Sequence, residues 1–321
     1  MERVVARRAQ SVGNMDLDSL RLFVDLSETG SFSKTAERMF MSQSAVSQRI
    51  RALELEFGQT LVERGKGRPG AQFTEAGQRF LDAARDMVAR ADSLKRELAE
   101  LGETIGGSLR VATVYSIGLH ALTPRLKAFL SRYPQVNLHL EYLRTDRIYE
   151  ALNNGTIDCG IVACPRDRPH IEILPLEEEK MVVIVPPQHA LADEKNISLE
   201  QLDGQPFIAF DADIPTRPLT DQLLQEHNVA VDVVQAFDNI ETIKQVVEIG
   251  LGIAIVPEPT VRREVRDGLL VALPLDSETF NRPTGILLRK GRSRGRALNR
   301  FVEVLTADSM EKLPPPDTTE E

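Results

Sequence analysis

Between Ser42 and Gln48 the chain reads SQSAVSQ, and four of these side chains can read a base edge. A glutamine amide bonds adenine at two points, and a serine hydroxyl serves several bases. Gln43, Ser44, Ser47 and Gln48 lie away from Ala45, Val46, Ile50, Leu53 and Phe57, the apolar residues that recur at helical spacing. A helix that merely covered a core would more often carry Lys and Glu on its outer face. Amides and hydroxyls in the first turns suit a helix entering a major groove. The same pattern also fits an ordinary helical hairpin with a polar outer face, so its surroundings must decide.

Those surroundings supply a frame. Ser42 is a good N-cap, because its hydroxyl accepts from an early orphan N–H, and Gly58 ends the helix. A shorter helix over Ser31 to Met39 precedes it, with Phe32, Ala36 and Met39 apolar, and Phe40 and Met41 form the corner. Further upstream, Asp16 to Glu28 is predicted as an amphipathic helix with Leu17, Leu20, Phe23, Val24 and Ser27 on one face, stopped by Gly30. Downstream, QTLVERGKGRPGAQFTEAG reads as strand, glycine-rich turn and strand. Arg64, Lys66 and Arg68 would sit at the tip of this wing, where phosphates are met and no sequence information is read. The formal net charge of −9 does not advertise nucleic-acid binding, yet Ser31 to Arg68 is locally +3. Distribution outweighs the sum.

From Thr74 to about Leu101 a single long helix is expected. Phe80, Ala84, Met87, Ala91, Leu94, Leu98 and Leu101 recur at alternating steps of four and three, an a/d seam held for about three heptads. Nothing adjacent in sequence covers so long a stripe, which points to self-association. Gly102, Gly106, Gly107 and Ser108 then make a hinge.

Beyond the hinge, strands and helices alternate. Strands are expected at Leu109 to Val114, Val136 to Leu143, Ile157 to Ala163, Met181 to Val185, Gln205 to Phe210, around Val231 to Ala236, Leu251 to Pro257 and Pro283 to Leu288. Helices fall at Ala121 to Tyr133, Arg147 to Asn153, Leu219 to His227, Ile240 to Glu248 and Ala297 to Ala307. Such alternation gives parallel sheets with right-handed crossovers. The run from Arg289 to Arg300 is basic, and reads as a solvated loop and helix start rather than a second nucleic-acid contact.

Several classes are disfavoured. No apolar run is long enough to span a membrane. The basic N-terminus (Arg3, Arg7, Arg8) lacks the apolar core of a secretory signal, and two cysteines without a CxxC pair give no zinc framework. The expected location is the cytoplasm. Cys159 lies in an apolar strand and Cys164 in a loop before Pro165, and no local feature lowers either thiol's pKa, so redox sensing is not expected. No nucleophile elbow, Walker loop, zinc helix or dinucleotide fingerprint supports an enzyme. A transport-type solute-binding protein would not begin with a helix-turn-helix.

The stretch SLRLFVDLSETGSFSKTAERMFMSQSAVSQRIRALELEFGQTLVER followed by FTEAG resembles the LysR-type transcriptional regulators almost continuously from Leu20 to Gly77. Thr35, Val62 and Phe73 stand where that family usually has Ala, Phe and Leu. GSLRVA, LTPRLKAFLSRYPQVNLHL, ALNNGTIDCGIV and ETIKQVVEIGLGIAIVPE match more loosely but in order. The resemblance implies an α+β, multi-domain chain: a winged helix-turn-helix, a linker-helix dimer, and a two-subdomain α/β effector domain like periplasmic binding proteins. The corresponding layout is a disordered extension at 1–15 (or sequence upstream of a start at Met15), a DNA-binding domain at 16–74, a linker helix at 75–102 and a hinge at 103–108. Effector subdomain I would be 109–180 plus 282–307, subdomain II 181–281, and the Pro-rich acidic tail 308–321 disordered.

Carried over by position, Gln43, Ser44, Ser47 and Gln48 would face bases. Ser33, Arg49, Arg51, Arg64, Lys66 and Thr74 would hold phosphates or shape the wing, although Arg51 could instead pair with Glu54. The implied partners are double-stranded DNA with paired half-sites, further copies of the chain as homodimer or homotetramer, and the transcription machinery. No membrane partner, metal or cofactor is expected beyond a small-molecule effector. That effector should bind between the two α/β halves, beyond strand C-termini. Thr113, Tyr115, Ser116, Thr216, Arg217 and Thr242 are the candidates, and their hydroxyls and cation suit a carboxylate or another small anion. Asp211, Asp213 and Glu241 would repel an anion or hold an amine instead.

Overall fold

The computed structural model describes residues 15–63, 71–99, 105–275, 280–291 and 294–307. The chain divides into two compact units, Met1–Lys95 and Arg96–Glu321. The extension up to residue 14, the wing tip, the tail and residues 103 and 104 of the expected hinge lie outside the described residues, and Gly107 and Ser108, expected in the hinge, instead open a strand.

The first unit begins with α1 (Leu17–Thr29), capped by Asp16, whose side chain accepts from the Ser19 N–H at 2.7 Å. Next come α2 (Phe32–Arg38), capped by Ser31, and α3 (Gln43–Phe57), capped by Ser42. Gly30 and Gly58 close α1 and α3 in the left-handed region. The face that α1 buries differs from the expected one: Leu20, Leu22, Phe23 and Leu26 enter the core, while Val24 and Ser27 stay half-buried. Val46, Ile50 and Leu53 bury the inner face of α3. Each contributes roughly 1.5–3 kcal/mol by leaving water. Phe57 remains 44% exposed and packs edge-on against Phe80. Between α2 and α3, Phe40 takes a φ of 52° with its side chain turned out to solvent.

Thr35, the departure from the family pattern, is fully buried and lies 2.6 Å from the Thr29 hydroxyl, so the extra polar atom has a partner. Strands β1 (Val62–Glu63) and β2 (Gln72–Phe73) pair antiparallel and form the base of the wing. Glu54 fixes its entry by accepting from the Leu61 and Val62 N–H groups at 3.0 and 3.2 Å. The long helix α4 (Glu75–Ala99) follows.

In the second unit, β3 (Gly107–Thr113) runs parallel to β4 (Val136–Tyr142) and to β5 (Cys159–Ala163). Helices α5 (Thr123–Arg132) and α6 (Thr145–Asn154) connect them. The segment expected to be a separate strand at Met181 is the end of a 15-residue strand, β6 (Ile171–Val185). Then come β7 (Pro206–Phe210), α7 (Thr216–Glu226), β8 (Asp232–Phe237), α8 (Ile240–Glu248), β9 (Ala254–Pro257) and α9 (Arg262–Arg266). The chain ends with β10 (Val271–Pro274), β11 (Asn281–Arg289) and α10 (Arg296–Thr306). The sheets are therefore mixed rather than wholly parallel: β6 pairs antiparallel with β11 over residues 171–180, its first part, and with β9 and β10 over residues 181–185, its second.

That register makes two lobes. One holds β3, β4, β5, β11, the first part of β6, and α5, α6 and α10 around Val111, Phe129, Ile161 and Phe301. The other holds the second part of β6 with β7 to β10 and α7 to α9, around Val183, Phe207, Ile243 and Ile255. Strands β6 and β11 carry the chain between them. No helix among the described residues is long and apolar enough to cross a membrane.

Candidate functional site

Two regions of the chain gather the polar groups singled out in its sequence. On α3, Gln43, Ser47, Arg51, Ser44 and Gln48 fall within one arc of about 140°, whose Gln43 edge borders the buried stripe of Val46, Ile50 and Leu53. Gln43, Ser44, Gln48 and Arg51 are exposed and Ser47 is half-buried. Ser42 accepts from the Ala45 N–H at 3.2 Å and lies 2.9 Å from the Ser44 hydroxyl, so part of its role is capping. Ser33 is exposed on α2. Arg49, expected among the phosphate-holding residues, is set apart from this arc. It lies on the other flank of α3, close enough to Asp16 to help lower that carboxyl, which the Ser19 hydroxyl and N–H lower first. Arg64, Lys66 and Arg68 lie outside the described residues. Thr74 holds the wing's exit: its hydroxyl donates to Thr60 O at 2.6 Å and accepts from the Gly77 N–H at 2.9 Å.

The apolar stripe of α4 divides. Phe80 packs edge-on against Phe23 and Phe57, and Ala84 is buried, so both serve the unit's own core. Met87, Leu94 and Leu98 are exposed, Ala91 is half-buried, and Leu101 lies outside the described residues.

In the second unit a cavity of about 220 Å³ opens between the lobes. It is bounded by Tyr115, Ser116, Arg144, Thr216, Asp238 and Arg282, with Leu143, Phe210 and Ile240 among its apolar walls. Of the six sequence candidates, Tyr115, Ser116 and Thr216 line it. Tyr115 stacks on Tyr142 with ring centroids 5.2 Å apart. Thr113 is fully buried beneath, supporting a π-turn at Ile117–Ala121. A Cβ on Gly118 would stand 2.5 Å from Thr113 Cγ2 and 2.6 Å from Tyr142 Cε1, so the turn can approach the strands only with glycine there. Thr242 and Arg217 do not line the cavity. Arg217 is held by Asp221 at 2.8 Å and by Phe210 O at 2.8 Å, a local pairing that turns its charge away.

The cations of the cavity were missed in the sequence. Arg282 is buried at the start of β11. Its Nε donates to Glu179 Oε2 at 3.0 Å, Nη2 to the same oxygen and to Ser116 Oγ at 3.2 Å, and Nη1 to Thr216 Oγ1 at 3.2 Å. Arg144, just before α6, pairs across the mouth with Asp213 and, at 3.4 Å, with Asp238. His120 Nε2 and Glu241 Oε1 make a second link between the lobes at 2.8 Å. Arg282 escaped notice because the strand signal starts one residue later, at Pro283. The available hint was an Arg opening an apolar strand in a chain that also carries the acidic run Glu177 to Glu179.

Burial raises the Cys159 thiol far above its ordinary range and raises Cys164 as well. Among the described residues no group of three His, Cys, Asp or Glu could hold a metal ion.

Comparison with known proteins places these two regions in one frame. A profile described as the LysR substrate binding domain matches residues 102–309. One described as a bacterial regulatory helix-turn-helix protein, lysR family, matches 17–78. The chain is 31% identical over 294 residues to the HTH-type transcriptional activator CmpR of Synechocystis sp., covering 92% of this chain and 96% of that one. It is 28% identical to a probable RuBisCO transcriptional regulator of Trichormus variabilis, covering 89% and 86%. Full-length OxyR from Pseudomonas aeruginosa superposes with a TM-score of 0.72 at 26% identity, covering 92% and 99%. Full-length CbnR in complex with its target DNA shares the fold, with a TM-score of 0.62 at 23% identity over 91% of this chain and 99% of that one.

Proposed function

The chain belongs to the LysR family of transcriptional regulators, with a DNA-binding helix-turn-helix ahead of an effector-binding domain, and from that premise we propose how its own residues do the work. Gln43, Ser44, Ser47 and Gln48 read base edges from the major groove. Arg51, with Arg64, Lys66 and Arg68 of the wing, holds phosphates. The observation that carries this is the α3 surface, where the amides and most hydroxyls of the first two turns face solvent while Val46, Ile50 and Leu53 are buried. The second half of the α4 stripe, Met87 to Leu98, is the contact between copies. A homodimer or homotetramer then presents two reading heads to paired half-sites.

The cavity between the lobes takes a compact effector bearing an anionic group. Its volume lies below the range of about 300–1,000 Å³ common for drug-sized ligands. Three helix N-termini border it, at Thr145, Thr216 and Ile240, and each favours negative charge. Effector binding shifts the relation between DNA-binding heads only so far as it favours one arrangement over another. The protein works in the cytoplasm, contacts the transcription machinery, and turns over neither DNA nor effector. Footprinting of the purified protein on the intergenic region beside its own coding sequence, at stated salt, tests the reading. A protected pair of half-sites is expected. Weak binding alike on every sequence and lost with salt would count against base reading by α3.

A further inference from the structure

The cavity is not uniformly cationic, and its two ends differ in kind. At the floor, Ser116 and Thr216 are 7% and 1% exposed, and each hydroxyl oxygen accepts from the Arg282 guanidinium. A hydroxyl whose oxygen accepts from a cation is left with its own proton to donate. No acceptor is recorded for either proton among the described residues, and both side chains line the cavity. Arg282 itself uses four of its five N–H bonds on Glu179, Ser116 and Thr216, and its charge is matched by Glu179. The floor is thus built of donors, without a cation that lacks a counter-ion. Thr216 also opens α7, which adds a partial positive charge at the same place.

The mouth is built the other way. Arg144 is the cation there, and it faces two carboxylates from the opposite lobe, Asp213 and Asp238. The formal charge of that trio is −1, set against the partial positive charge of the helix ends at Thr145 and Ile240. A second anionic group on a ligand would have to displace both aspartates from Arg144 and then lie among them. A cationic or donor group would meet carboxylates already in place, with Asp238 on the cavity wall.

We propose that the effector is a compact zwitterion, or an acid with a donor at its far end, held with its carboxylate on the Ser116–Thr216 floor and its cationic or donor end at Asp238 and Asp213. The inference rests on the cavity's being the effector site. It adds that Asp213 and Asp238 select against dianions, and that Arg144 is their counter-ion rather than a ligand clamp.

Butyrate, 4-aminobutyrate and succinate share a four-carbon length and differ only at the far end, so they serve as probes. Their affinities for the full-length protein are measured by isothermal titration calorimetry at low salt. The expected order is 4-aminobutyrate tightest, butyrate roughly tenfold weaker, and succinate weaker again, because like charges brought together cost several-fold in affinity or more. In the double variant Asp213→Asn/Asp238→Asn, the preference for 4-aminobutyrate over succinate should fall by at least about tenfold. Ser116→Ala with Thr216→Val should weaken all three probes by a similar factor. Succinate binding tightest to the unaltered protein, or a preference unmoved by the Asn pair, would overturn the polarity while leaving the site. Failure of all three probes to bind, or binding indifferent to the Ser116 and Thr216 changes, would overturn the site and the polarity together.

Discussion

Arg282 and Glu179 pair between the two strands that carry the chain from lobe to lobe, both side chains about 2% exposed. The pair sits where any change in lobe arrangement must pass. Removing one partner from a buried ion pair leaves a bare charge, which costs about 3–5 kcal/mol, whereas replacing both with apolar groups is far milder. Arg282→Met should therefore lower the unfolding free energy of the α/β unit, read from urea denaturation, by an amount of that order. Arg282→Met with Glu179→Leu should recover most of it. Equal losses in the single and double variants would show that the cost is not the stranded carboxylate.

The division of the α4 stripe predicts two different phenotypes from one apparent seam. Phe80 packs between Phe23 and Phe57 but is only half-buried, so Phe80→Ala should destabilise the first unit by less than the ~3–5 kcal/mol of a fully buried phenylalanine. Leu94 is 48% exposed, so Leu94→Asp should leave the fold unchanged and reduce the oligomer. Sedimentation velocity and thermal unfolding on both variants separate the two effects. If Leu94→Asp sediments as the unaltered protein does, self-association uses another surface.

Base reading and phosphate holding leave different marks on DNA affinity. Gln43→Ala should cost about 1–3 kcal/mol on the preferred half-site and relax preference at one base position. Arg64→Ala should weaken all sequences by a similar factor and reduce the salt slope by about one. Competition binding against half-sites varied base by base is the measurement. Equal losses on every sequence for Gln43→Ala would remove its reading role.

How much of this was legible followed the distance over which each signal acts. The α3 helix was readable because its cap at Ser42, its stop at Gly58 and its apolar spacing are all local. The full length of β6 was not, because Pro175 and the charged run Glu177 to Lys180 interrupt its apolar pattern. Those residues pair with β11, about a hundred positions later. Arg282 is the extreme case: its partners Ser116, Glu179 and Thr216 lie 166, 103 and 66 residues away, so no spacing rule connects them. Arg217 shows the reverse. Its Asp221 partner at i+4 was visible in the sequence, and that helical pairing is what takes it out of the cavity.

The cysteines test the redox-inert reading. Burial raises both thiols, Cys159 most, so the thiolate fraction at neutral pH is smaller than that of a free thiol. Cys159 should resist iodoacetamide at pH 7.5 until the protein unfolds, and Cys164 should react at least about tenfold more slowly than a free thiol, whose pKa is about 8.5. Mass spectrometry of the native protein over a labelling time course provides the check. Rapid native labelling of Cys164 would reopen redox sensing.

The His120–Glu241 link makes the stability of the two-lobed unit depend on pH in a definite direction. The bond from His120, then the contact with Lys244, hold the Glu241 carboxyl below its ordinary value of 4.5 against the opposing effect of burial. A depressed folded pKa contributes stability that is present above the unfolded value, and that is lost as pH falls through the folded value. Glu241 is 38% exposed, so solvent limits the contribution to at most about 1 kcal/mol. Glu241→Gln should therefore be less stable than the unaltered protein at pH 6, and the gap should close as pH drops below 4.5. Lys244 is also bonded to Glu264 at 2.8 Å and to Thr260 O at 2.9 Å, so it keeps partners in the variant and does not become a stranded buried charge. A stability gap that widened on acidification would mean that the carboxylate destabilises the unit and that the link between the lobes does not hold them together.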